Sequence, residues 1–241
     1  DFSDILNLTR QLYESERARV MEPLVVGLTH QIRQPLTVVR AAAQYTLETF
    51  KTTLRSKDFQ ETMESIIQNV DTVNDVIINL LHFSKPSPYT MKKGSLLELL
   101  ERGLRLVRTQ IKEQKVSVQK EWPKDLPATL MDEKLLLHAY VNLLVNALQS
   151  MTQGGRLTVT ASCQENSVPP RVCIAIEDTG KGISKEHLCK LGQPFFTTKN
   201  GGVGLGLAVA EGIIGAHNGK IHFESQENQG TKALIELYLP S

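Results

Sequence analysis

Glycine is almost missing from the first third of this chain: between Ser3 and Ser84 there is one, Gly27. A stretch so poor in turn-forming residues reads as long helix. Cysteine is scarce as well. The three present, Cys163, Cys173 and Cys189, are odd in number and show no C-x-x-C spacing. That argues against disulfide, redox or zinc chemistry and for packed, reduced thiols in a cytoplasmic compartment. Net charge is nearly absent at +1, so no strong field points to nucleic acid or an anionic membrane surface. No apolar run approaches the roughly 20 residues that cross a bilayer, and the start lacks a signal-peptide pattern. The chain opens abruptly inside what reads as a helix, as the excised end of a longer protein would.

What remains is ordinary globular composition, 41% hydrophobic and 22% charged over 241 residues, enough for one or two domains with cores. The pattern changes along the chain. Val25, Leu28, Ile32, Leu36, Val39, Ala43, Leu47 and Phe50 recur in steps of three and four, and Met63, Ile66, Val70, Val73, Ile77 and Leu80 form a second stripe. These predict two amphipathic helices joined by a loop at Arg55–Asp58, with Asp58 as N-cap. A hairpin of this kind cannot bury its stripe alone, so a homodimeric four-helix bundle is the expected completion.

Lys85-Pro-Ser-Pro88 ends the hairpin, and 87–94 reads as linker. Beyond it the spacing predicts helices at Leu96–Val107, Glu133–Met151 and Leu205–Ala216. Strands are predicted at Val116–Glu121, Leu157–Ser162, Val172–Glu177, Ile221–Ser225 and Lys232–Leu239, with a left-handed helix stop at Asn218-Gly219. The expected class is α+β: a helical hairpin over 1–86, then an α/β sandwich over 95–241 with segregated sheet and helices.

His30 stands in Thr29-His-Gln-Ile-Arg-Gln-Pro-Leu-Thr37. At about 100° per residue it lies opposite the apolar stripe and shares an outer face with Arg33, Gln34, Thr37 and Arg40. A single helical histidine is more often without chemistry than with it. His82, His138, His187, His217 and His222 form no recognisable ligand cluster and read as structural. Pro35 removes a helical hydrogen bond close to His30.

Four segments of the second region converge. Asn142 and Asn146 fall at i and i+4 on one helical face, oxygen donors suited to a hard cation and phosphates, though surface amides share this spacing. Asp178-Thr-Gly-Lys-Gly-Ile183 follows a strand. A carboxylate there can accept from an adenine amino group, and Gly180 and Gly182 permit close approach, but a plain turn reads the same way. Pro194-Phe-Phe-Thr-Thr-Lys199 precedes Gly202, Gly204, Leu205 and Gly206, whose N–H groups and following helix can surround phosphates. A dinucleotide fingerprint is disfavoured by the polar residues before those glycines, and no P-loop motif exists. Gln229-Gly-Thr231 completes the set.

Taken together, the segment around His30 resembles the histidine box of sensor histidine kinases. The four segments resemble the asparagine, glycine and phenylalanine boxes of the ATP-binding superfamily shared with gyrase, Hsp90 and MutL. The wording of the third is similar to that of nitrogen-regulator-like kinases. The resemblance spans nearly the whole chain. It implies that ATP phosphorylates His30 and that the phosphoryl group passes to an aspartate on a response regulator receiver domain. It further implies Mg²⁺ held by Asn146 with Asn142, and adenine read by Asp178 with Gly180, Gly182 and Thr231 around it. Thr198, Gly202, Gly204, Leu205 and Gly206 would lie along the triphosphate. The chain departs from the family at Gln31, where Glu or Asp is usual. An amide can orient the imidazole but cannot take its proton at neutral pH, so slow self-phosphorylation is expected. Gln34 stands where Thr or Asn would position water for dephosphorylating the partner. Asn142 stands where the ATPases carry a water-activating Glu. A conformationally cycling ATPase and an inactive dimeric scaffold are the competing readings. Neither would give an acid-labile label dependent on His30.

Overall fold

The computed structural model describes residues 32, 34–46, 59, 61–66, 69–70, 73, 89–165, 167–199 and 204–239. The chain divides into two compact units, Asp1–Leu80 with Lys199–Val203, and Leu81–Thr198 with Gly204–Ser241.

In the first unit residues 34–46 and 61–66 are helical, and the helix runs through a buried Pro35. Ile32, Val39, Ala43, Met63, Ile66 and Val73 are half-buried, but Leu36 and Val70 of the same stripes are 51% and 49% exposed. Gln34, Thr37 and Arg40 are exposed, which is the polar face the helical phase predicts. His30, Gln31, the loop at Arg55–Asp58 and the prolines Pro86 and Pro88 lie outside the described residues.

The second unit runs β1 (Lys92–Gly94), α1 (Leu96–Leu106), α2 (Arg108–Glu113), β2 (Val116–Glu121), β3 (Thr129–Met131), α3 (Glu133–Ser150), β4 (Gly155–Gln164), β5 (Arg171–Asp178), α4 (Lys185–Leu188), α5 (Gly206–Ala216), β6 (Gly219–Gln226) and β7 (Gly230–Tyr238). Helix starts follow capping chemistry. Ser95 accepts the Glu98 N–H ahead of α1, and Asp132 accepts the Leu135 N–H ahead of α3. The main sheet has the order β2-β4-β5-β7-β6, parallel at β2–β4 and antiparallel elsewhere. Alternation puts Leu157, Val159, Ala161, Val172, Ile174, Ile176, Ala233, Ile235 and Leu237 in the core, against Leu99, Leu100, Leu144, Leu148, Ile213 and Ile214 from the helices.

Three features differ from the sequence reading. Lys92–Gly94, inside the stretch read as linker, pairs antiparallel with Thr129–Met131. α2 and α4, six and four residues long, are too short to show a period. The left-handed stop expected at Asn218-Gly219 is there: Asn218 takes φ 53°, and Gly219 begins β6, where a Cβ would press on Glu236 O at 2.6 Å. Of the cysteines, Cys173 is buried and Cys163 half-buried, but Cys189 is exposed, so the packing expectation fails for the last.

One polar knot ties the chain's entry to the end of α5. The Asp132 carboxylate accepts the Thr90 N–H at 3.0 Å. The Asp132 N–H donates to His217 Nε2 at 2.9 Å, and His217 Nδ1 lies 2.7 Å from Ile213 O. Since Nε2 accepts, Nδ1 carries the proton and the ring is the neutral tautomer. Burial works to raise the Asp132 carboxyl. The N–H bonds from Thr90, Leu135 and Lys134 outweigh it, and the net direction is down.

Among the described residues no helix is long and apolar enough to cross a membrane. Nor does any group of three or more His, Cys, Asp or Glu there suit a metal ion.

Candidate functional site

α3 buries Leu136, Leu137, Tyr140, Leu143, Leu144 and Leu148, which leaves Asn142, Asn146 and Ser150 half-buried on another face at i, i+4 and i+8. Asn142 Nδ2 donates to Gly206 O at 3.2 Å, tying the helix to the first residue of α5. That contact commits the amide nitrogen and leaves Oδ1 as the oxygen donor. Asn146 follows one turn later.

Asp178 ends β5 with 4% exposure, opposite Leu157 of β4 and Thr231 of β7. Its Oδ1 accepts the Ser150 hydroxyl at 2.7 Å and the Gly180 N–H at 2.8 Å. Burial pushes the Asp178 carboxyl up from the ordinary range and Glu177 adds to that, while hydrogen bonds from Ser150, Gly180 and the Thr231 backbone oppose it. A buried carboxylate held by hydrogen bonds and no cation suits a neutral donor such as an exocyclic amine.

The glycines around Asp178 are set by the protein's own close packing. A Cβ on Gly180 would overlap the Ser150 side chain; on Gly182, at φ +64°, it would overlap Gln226 O; on Gly230, at φ +95°, it would overlap Asp178 O. Ser225 joins the turns, accepting the Ile183 N–H at 2.8 Å and lying 2.9 Å from Thr231 Oγ1.

At the other end of the site Gly204 has φ +70°, and a Cβ there would run into the Phe195 and Phe196 backbone. Its carbonyl accepts the Phe195 N–H at 2.9 Å, so Gly204 closes the Phe-Phe turn. Leu205 is fully buried and precedes α5, whose N-terminus has no side-chain cap. The first N–H groups of α5 thus have no side-chain acceptor and suit an anion. Gly206 has open space, with Asn142 the nearest neighbour at 3.8 Å. Thr198 is exposed on the loop before α5.

Asn142 with Gly206, and Asp178 with Gly180 and Thr231, are thereby brought together. Gly202 lies outside the described residues. Sequence reasoning missed Ser150 and Ser225. The i, i+4, i+8 spacing from Asn142 through Asn146 would have found Ser150. Nothing local marks Ser225, which is joined to Ile183 across 42 residues. The donor set fits an adenine nucleotide, with a neutral-donor acceptor at one end, amide oxygens along α3 and an uncapped helix at the other.

The comparisons with known proteins agree. Residues 24–88 match the His Kinase A (phospho-acceptor) domain, and residues 131–241 match the histidine kinase-, DNA gyrase B-, and HSP90-like ATPase domain. The chain belongs to the sensor histidine kinases and is a catalytic core of that family. It is 33% identical over 242 residues to the signal transduction histidine-protein kinase AtoS of Escherichia coli K12, covering 99% of this chain and 38% of that protein. Sporulation kinase E of Bacillus subtilis is 28% identical over 237 residues, with 98% and 31% covered. The chain thus spans about a third of the length of these curated relatives. In fold it is similar to histidine kinase ThkA, solved in complex with the response regulator protein TrrA. There the TM-score is 0.71 at 21% identity, covering 93% of this chain and 64% of that one.

Proposed function

We propose that this chain is an ATP-dependent protein-histidine kinase that phosphorylates its own His30 and passes the phosphoryl group to an aspartate of a response regulator. The hairpin over 1–86 carries the acceptor and dimerises, the stretch before Lys92 links, and the remainder, with the Lys92–Gly94 strand as its first element, binds ATP. The observation that carries the reading is Asp178. This carboxylate is 4% exposed and bonded to Ser150 and Gly180, at a β5 terminus whose neighbouring helix bears Asn142 and Asn146.

In the step itself an imidazole nitrogen of His30 forms a bond to the γ-phosphorus as the bond to the β,γ-bridging oxygen breaks, and ADP leaves. The imidazole's other proton passes to water, because Gln31 cannot accept it. Asn146, with Oδ1 of Asn142, would hold Mg²⁺, whose chemistry is to neutralise phosphate charge. With Asn142 in place of a carboxylate, α3 presents no base there to activate water. That favours transfer to a held histidine over hydrolysis. Gln34, exposed on its helix, would orient water in dephosphorylating the partner. The exposed Leu36 and Val70 support a homodimer, since a second hairpin would cover them.

The test is incubation with γ-labelled ATP. An acid-labile, base-stable label that is lost in His30→Ala supports the proposal. A label surviving that substitution, or ATP hydrolysis without any label, overturns it.

A further inference from the structure

Resting on the adenine-reading role proposed for Asp178, we infer that Ser150 is a positioning residue for nucleotide selection. Its hydroxyl fixes the Asp178 carboxylate in the orientation that a 6-amino purine requires.

Ser150 meets the turn after β5 at three points. Its hydroxyl is 2.7 Å from Asp178 Oδ1, its carbonyl accepts the Lys181 N–H at 3.2 Å, and its side chain fills the space where Gly180 would carry a Cβ. The carboxylate is then gripped by donors from three elements: Ser150 of α3, Gly180 of the turn and the Thr231 N–H of β7. Of these, Ser150 supplies the only side-chain donor; the other two are backbone N–H groups fixed by the fold. The adenine amino group can only donate, so it needs a carboxylate oxygen whose plane is already set, and a rotating carboxylate would lose that geometry.

The hydroxyl has one proton and two acceptors. Ala147 O also lies 2.7 Å away, and the Met151 N–H goes to Leu148 O instead. With Asp178 ionised, the proton points to the carboxylate. With Asp178 protonated, the acid can donate to Ser150 Oγ, which turns its own proton to Ala147 O. The residues opposite Asp178 are Ser150, Leu157 and Thr231, none of them charged, and the charged neighbour acting on it is Glu177 of its own strand. Loss of the hydroxyl therefore removes one of the few interactions that hold the carboxyl ionised against burial.

The rival account makes Ser150 a helix-end cap for Ala147 O alone. Capping affects stability and is indifferent to the base of the nucleotide. The experiment compares dissociation constants for ATP and for purine riboside triphosphate, which lacks the 6-amino group, on the whole chain and on Ser150→Ala and Asp178→Ala. Ser150→Ala keeps the backbone contact to Lys181 and removes only the hydroxyl, so the fold is expected to persist; thermal unfolding checks this. The expected result is that ATP binding weakens about tenfold or more in Ser150→Ala, as for a hydrogen bond to a charged group, while the analogue hardly changes. The acid-side fall in ATP affinity also moves to higher pH, because the carboxyl protonates more readily. If Ser150→Ala weakens both nucleotides equally, or neither, the hydroxyl only caps the helix and the inference is overturned. If Asp178→Ala leaves the preference for ATP intact, or the wild-type chain shows none, the adenine-reading role of Asp178 fails first.

Discussion

The two units hold their chemistry in opposite ways. In the first, the face proposed to serve His30 is a row of exposed side chains, Gln34, Thr37 and Arg40, carried on a helix that any good helix former would build. In the second, the site is made by backbone: glycines at 182, 204 and 230 take positive φ against neighbouring main chain, and Asp178, the one carboxylate buried among the described residues, is seated by residues distant in sequence. Changing a side chain edits the first site, whereas changing a Cβ dismantles the second.

The largest expected effect follows from that contrast. Gly182→Ala combines φ +64° with overlap on Gln226 O, so the second unit should lose about 3 kcal/mol or more and ATP binding with it. Ala41→Gly, on the exposed helical face of the first unit, should cost about 1 kcal/mol. Urea unfolding followed in each unit decides the matter. Equal losses would erase the distinction between a side-chain site and a backbone site.

Next in size is Gln31→Glu, which supplies the missing proton acceptor beside His30. Single-turnover labelling should accelerate roughly tenfold or more. An unchanged rate would refute the view that the amide limits the reaction.

The smallest effect concerns the core beneath the nucleotide helix. The Tyr140 hydroxyl is buried without a hydrogen-bond partner among the described residues, and its ring packs against Gly103. Burial pushes the phenol well above its ordinary range. Tyr140→Phe should raise stability by about 1 kcal/mol, read as an increase in Tm, since an unpaired polar group is removed without a cavity. A lower Tm would mean that the hydroxyl is satisfied by water.

Much of this was legible in the sequence, for reasons that differ by element. Val116–Glu121 was read to its bounds, and α1 and α3 to within a residue at one end, because long apolar periods and capping residues such as Asp132 are local signals. Asn142, Asp178 and Thr231 could be nominated from their motifs. What could not be read was how they are held: Asn142 by Gly206 across 64 residues and Asp178 by Ser150 across 28. Nor could the sequence show what surrounds the glycines: at Gly180 and Gly182 the protein's own Ser150 side chain and Gln226 carbonyl stand where a Cβ would be. The three-residue strands at Lys92–Gly94 and Thr129–Met131 are too short for any pattern and exist because they pair with each other.

The knot at Asp132 has a mechanical corollary. Thr90, the start of α3 and the end of α5 share one residue's carboxylate and amide through His217, so none of them can fray alone. A tug on the strand entering at Tyr89 is resisted at both helices together, and their amides should exchange with deuterium at a common rate, as a clasp opens in one movement.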